Sequence, residues 1–138
     1  MSENLQIFPQ NAGVHEALGI TVVSADKDKV VVQVPVGEKV HQPYGILHGG
    51  VSVVLAESAA SMGAAIAAGP DFLAMGIEIN ASHLRSMSSG MLTATAVPIR
   101  VGRTLQVWNI DLTDEQGRLV CVSRCSVAIR PVPGSLSE

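Results

Sequence analysis

Apolar positions along the chain fall into two short alternating runs, one long continuous run, and four further alternating runs. Residues 19–25 (GITVVSA) and 29–36 (KVVVQVPV) are rich in β-branched residues and flank the charged tetrad DKDK, the pattern of a β-hairpin. Residues 12–18 read as a short helix ahead of it, and residues 37–48 as a polar loop. From residue 49 the stretch GGVSVVLAESAASMGAAIAA stays apolar until GPD at 69–71, which predicts a helix over about 49–68. Four β-like runs follow at 75–86, 91–100, 104–113 and 118–129, with turns at SSG (88–90), GR (102–103) and DEQG (114–117). Their spacing fits an antiparallel meander. The helix is rich in small residues (Ala56, Ala59, Ala60, Gly63, Ala64, Ala67), so a sheet can approach it closely. The expectation is an α+β fold, a curved antiparallel sheet wrapped around one long central helix, and not a βαβ arrangement.

A chain of 138 residues suits a single domain, here a core over about 15–130 with a short flexible tail at 131–138. Apolar residues make up 47% and charged residues only 15%, which leaves apolar surface for a subunit interface. A net charge of -3 with dispersed Lys and Arg gives no footprint for nucleic acid. The few aromatics (Phe8, Tyr44, Phe72, Trp108) form no base-stacking platform. Cys121 and Cys125 lie four residues apart on one strand face, roughly 13 Å, beyond disulfide reach. They read as core residues of a reduced, cytoplasmic protein, and no metal-ligand spacing is present. The first ten residues lack the basic and apolar regions of a secretory signal. Residues 49–69 approach membrane-spanning length, but a central Glu57 and the absence of basic flanks favour a buried helix outside any bilayer.

The chemistry gathers around the start of that helix. His48-Gly49-Gly50 sets backbone N–H groups where a helix lacks internal acceptors; this serves either a polarised carbonyl or simply a tight turn. Gln42 adds a neutral amide donor seven residues earlier, and His41 reads as a solvated loop residue. Glu57, set among Leu55, Ala56, Ala59 and Ala60, reads as a buried carboxylate that either has a partner or faces a polar cavity. Ser61 lies one turn further on the same face. Gly49 and Glu57 are separated by roughly 12 Å of helix axis, too far to touch one reacting carbonyl from the same chain. If both act on it, two antiparallel helices must meet, so the economical arrangement is a homodimer with two composite sites.

Gln42, His48-Gly49-Gly50, Glu57 and Ser61, in that order, resemble the motif of the hotdog-fold acyl-CoA thioesterases. The likeness is greatest to the branch with the Arthrobacter-type 4-hydroxybenzoyl-CoA thioesterases and the PaaI-like enzymes. Within that branch it is greatest to the 1,4-dihydroxy-2-naphthoyl-CoA and enterobactin-pathway proofreading thioesterases. It extends through QPYGILHGGVSVVLAES, GIEINASHLRS and QVWNIDLTDEQGRLVCVSR. The resemblance implies that Gln42 and the Gly49 N–H bind the thioester carbonyl. It makes Glu57 the nucleophile or general base, Ser61 the residue that assists water, and His48 a contact near the thioester. It also implies dimer-interface sites and dimers paired into tetramers.

Coenzyme A would enter as part of the substrate, with no separate cofactor. His83 and Arg85 alternate with Leu84 and share a strand face with Ile77 and Ile79, and Arg103 and Thr104 occupy a turn. These four are the expected contacts to the coenzyme A portion, and Met62 and Met87 are candidates to line the acyl pocket. The expected reaction is hydrolysis of an aromatic or hydroxyaryl acyl-CoA. The alternatives are a 3-hydroxyacyl-CoA dehydratase or hydratase, and a non-catalytic acyl-CoA-binding module.

Overall fold

The computed structural model describes residues 12–134. The amino-terminal stretch tested for a signal, and the last four residues of the expected tail, lie outside that range. Helix α1 (Gly13–Leu18) ends at Gly19, whose φ of 78° suits glycine and turns the chain into the sheet. Strands β1 (Thr21–Ala25) and β2 (Val30–Val36) form the expected hairpin. The Asp26 carboxylate holds its turn by accepting from the N–H groups of Asp28 (2.8 Å) and Lys29 (2.9 Å). A single 3-10 turn, Glu38–Val40, precedes α2 (Gly49–Ala68). Strands β3 (Phe72–His83), β4 (Gly90–Val101), β5 (Leu105–Thr113) and β6 (Leu119–Pro131) complete the chain.

All six strands form one antiparallel sheet in the order β1-β2-β4-β5-β6-β3. The four-strand meander expected after the helix is therefore reduced to β4-β5-β6. β3 leaves α2 at the far edge and pairs with β6, while β4 returns to pair with β2. A sheet that curves around a helix has to receive the chain on opposite sides of it, and linear spacing does not carry that information.

The small residues of α2 act as expected: Leu55, Ala56, Ala59 and Ala60 are fully buried against the sheet. The approach is tight at Gly63, where a Cβ would lie 2.7 Å from Cζ3 and 2.9 Å from Cζ2 of Trp108. The buried Trp108 indole donates to Gln106 Oε1 (2.8 Å), and Gln106 Nε2 donates to the Ala64 carbonyl (3.1 Å), tying β5 to the helix by a closed polar link. The helix is long and apolar enough to cross a membrane, yet the concave sheet covers half of it.

Cys121 and Cys125 are free and fully buried on the helix side of β6. Burial, then the charges of Glu57 and Glu78, push the Cys125 thiol up to about 11. A disulfide-exchange reagent at pH 8 is expected to find neither cysteine in the folded protein and both after denaturation.

Strand β3 carries a β-bulge: Gly76 pairs with Val127 and Glu78 with Ser126, which leaves Ile77 as the extra residue. Gly76 and Ile79 then both lie on the less exposed helix side, while Ile77 is 62% exposed. The expected common face for Ile77, Ile79, His83 and Arg85 is corrected accordingly. Ile77 falls outside it at the bulge, and Arg85 lies beyond the strand, which ends at His83.

Candidate active site

The loop before α2 is built as a small ladder. Gln42 N–H donates to the Ile46 carbonyl (2.8 Å), His48 N–H to Val40 (2.8 Å), and Leu47 N–H to Met87 (2.7 Å). Gly45 permits the tight turn with a φ of 79°. His41, expected to be a free loop residue, has its Nε2 2.9 Å from the Ser88 carbonyl, joining this loop to the one after β3. The Gln42 side-chain oxygen accepts from the Tyr44 N–H. That bond fixes the amide with its NH2 group as the free end, a donor held in place by its own loop.

His48 is the N-cap of α2, its Nδ1 accepting from Gly50 N–H at 2.8 Å. The accepting nitrogen must lack a proton, so the ring carries its hydrogen on Nε2. The Gly49 N–H has no acceptor among the described residues and stands at the positive end of the 20-residue helix. Neither glycine of the pair has a positive φ, so backbone freedom does not explain them. Space does. A Cβ on Gly49 would lie 2.8 Å from His83 Nε2, and one on Gly50 would lie 3.0 Å from His48 Nδ1. Each glycine makes room for an imidazole.

Gln42, Gly49, His83 and Arg85 line one cavity of about 350 Å³, together with Leu47 and Ser52. The structure thus unites four of the residues selected from sequence. Ser52 escaped sequence reasoning, although it is fully buried and its hydroxyl has no hydrogen-bond partner among the described residues. A serine inside an apolar helical run gives no outward signal of facing a cavity.

Glu57 and Ser61 meet at a second, separate cleft of about 340 Å³ with Val54 and Ser58. Glu57 is half-buried rather than buried, and no other described residue hydrogen-bonds or ion-pairs with its carboxylate. The carboxylate faces an open cleft that it shares with two serines and a valine. His15 on α1 reaches over, its Nε2 3.0 Å from Ser58 Oγ, and desolvation holds that imidazole below its usual pKa. Beneath the carboxylate lies Gly76 of β3.

The remaining candidates lie apart. Arg103 lines a third cavity of about 230 Å³ with Ala67, Phe72 and Gln106, at the opposite end of α2 from Gly49. Thr104 is exposed in the same turn, its carbonyl accepting from Ile129 N–H at 3.0 Å. Met62 and Met87, expected along an acyl pocket, are 5% and 7% exposed and belong to the hydrophobic core.

The chain matches the model of the thioesterase superfamily over residues 44–121. It is 56% identical over 118 residues to a 1,4-dihydroxy-2-naphthoyl-CoA hydrolase of Listeria monocytogenes, spanning 86% of this chain and 96% of that protein. It is 41% identical over 114 residues to the proofreading thioesterase EntH of Cronobacter sakazakii, with 83% of each chain covered. The crystal structure of a thioesterase from Haemophilus influenzae superposes with a TM-score of 0.88 at 39% identity, over 96% of this chain and 92% of that one.

Proposed function

The chain belongs to the thioesterase superfamily, and we propose that it hydrolyses an acyl-CoA thioester at a site shared between two copies of itself. The observation that carries this reading is the division of the chemistry into two clefts. A carbonyl cradle at Gln42 and Gly49 and a carboxylate at Glu57 with no partner among the described residues line separate surfaces of one chain. Eight residues of helix, roughly 12 Å, keep them apart. The 12-residue edge strand β3 supports pairing with a second copy, since its row of Leu73, Met75 and Ile77 is 43%, 50% and 62% exposed. Val97 and Ile99 of β4, 38% and 54% exposed, support a second contact that would join dimers into a tetramer.

In this mechanism the Gly49 N–H and the Gln42 amide NH2 donate to the thioester oxygen and stabilise its developing negative charge. Glu57 of the partner subunit either attacks the carbonyl or takes a proton from water held by Ser61. In the first route the thiolate leaves and water then opens the mixed anhydride, releasing the acid and regenerating Glu57; in the second the water oxygen adds to the carbonyl, and collapse of the tetrahedral intermediate expels the thiolate. Oxygen-18 water in a single turnover separates the routes, because only attack by Glu57 leaves solvent oxygen in its side chain. His83, beside Gly49, and Arg85 border the carbonyl cradle. Arg103 and Thr104, at the far end of α2, are assigned to the nucleotide portion.

An aromatic or hydroxyaryl acyl group is the preferred substrate, by analogy with the Listeria relative. A panel of aromatic and aliphatic acyl-CoAs, followed by thiol release and compared by kcat/KM, tests both activity and preference. Absence of free thiol across the panel would refute hydrolysis. Gln42→Ala is expected to lower kcat by about 10²-fold, as loss of one carbonyl donor does elsewhere, with the Gly49 N–H still in place.

A further inference from the structure

We propose that Gly76, with the bulge that follows it, is the positioning residue of the Glu57 carboxylate. This inference rests on the catalytic reading of Glu57 above. A Cβ on Gly76 would lie 3.1 Å from Glu57 Cδ and 3.4 Å from Cγ, and closer still to Oε2. The carboxylate therefore occupies the space that any other residue's side chain would need. No hydrogen bond or salt bridge from a described residue holds it there. Its seat is defined by shape: the bare backbone of β3 below and the wall of Val54, Ser58 and Ser61 beside it. The charge of Glu57 is also felt across the sheet at Cys125, whose partner on β3 is Ile79, three residues beyond Gly76.

The bulge gives this seat a second consequence. Gly76 and His83 are seven residues apart, an odd number, so strict alternation would send them to opposite faces of β3. The extra residue Ile77 resets the alternation. Gly76 then underlies Glu57 while His83 faces Gly49, and one local irregularity registers the strand to both half-sites. A methyl group at position 76 tilts the carboxylate into its cleft and leaves the carbonyl cradle untouched.

Gly76→Ala in the full-length protein tests this. It is expected to lower kcat by roughly 10²-fold, the usual cost of a misplaced catalytic group, with KM within about threefold of wild type. In a Glu57→Asp background, where the shorter acid clears the methyl, the same substitution is expected to change kcat by less than about threefold. An equal loss in both backgrounds, a wild-type kcat for Gly76→Ala, or a crystal structure of that variant with Glu57 unmoved would each overturn the proposal. If Gly76→Ala alone does not fold, Gly76→Ala/Glu57→Ala must, because the collision is gone; failure of the double variant to fold overturns it too. A Glu57→Gln enzyme with wild-type kcat refutes the catalytic role of Glu57 instead, a result distinguishable from all of these.

Discussion

Glu57→Gln is expected to lower kcat for acyl-CoA hydrolysis by about 10²–10⁴-fold, with acyl-CoA still bound to within a few-fold of wild type. The amide matches the carboxylate in size, so its fit over Gly76 is retained while nucleophilicity and basicity are lost. Because Glu57 has no salt bridge or hydrogen bond to break among the described residues, the change orphans no other group there, and folding stability should hardly move. The same variant reports on the composite site. A Glu57→Gln subunit retains its carbonyl cradle, and a Gln42→Ala subunit retains its carboxylate. A mixed dimer of the two contains one intact site. After unfolding and refolding together in equal amounts, the mixture should regain about a quarter of wild-type activity, because half of the dimers are mixed and each has one working site of two. If the mixture stays as inactive as its components, the shared site is wrong, whatever the activity of the wild type.

Trp108→Ala is expected to destabilise the protein by about 3–5 kcal/mol, the largest effect on folding that the structure suggests. The indole is fully buried against Gly63, so its loss leaves a cavity between helix and sheet. It also strips Gln106 Oε1 of its donor in a buried setting. Gly63→Ala probes the same contact from the helix side. Alanine gains about 1 kcal/mol in helix propensity, but its methyl overlaps the indole, and overpacking of this kind costs about 1–3 kcal/mol. The net effect should be destabilising and well below that of Trp108→Ala. Denaturant unfolding at fixed protein concentration measures both, the concentration being held because association contributes to apparent stability. A Gly63→Ala protein more stable than wild type would show that the indole yields easily.

Sequence reading succeeded where one residue type has one physical use. The apolar run with Gly at its start and GPD at its end located α2 to the residue, because capping and helix termination are local. The separation of Gly49 from Glu57 followed from helical rise alone. The strands were found within three residues of their observed bounds, but their order was not, since β3 beside β6 is a consequence of how the sheet closes around the helix. With Ala, Gly and Val over most of its surface, α2 offers only a weak contrast from which to read the face turned toward the sheet. Ile77 and Arg85 were misplaced because alternation fails at a bulge and stops at a strand end. The pattern of Glu57 over Gly76 joins residues nineteen apart in sequence, and only the fold brings them together.

The unequal edges of the sheet also limit how far assembly can go. β3 is a twelve-residue strand at one end of the sheet, whereas β1 at the other end is five residues long, with an irregularity between Val22 and Ser24. A strand that pairs with its own copy about a two-fold axis consumes both long edges at once. What remains at the ends of the joined sheet is β1 twice, short and twisted, a poor template for further strand addition. Growth by edge pairing would then terminate at two chains, and a sequence rich in valine and isoleucine would avoid becoming an open-ended fibre.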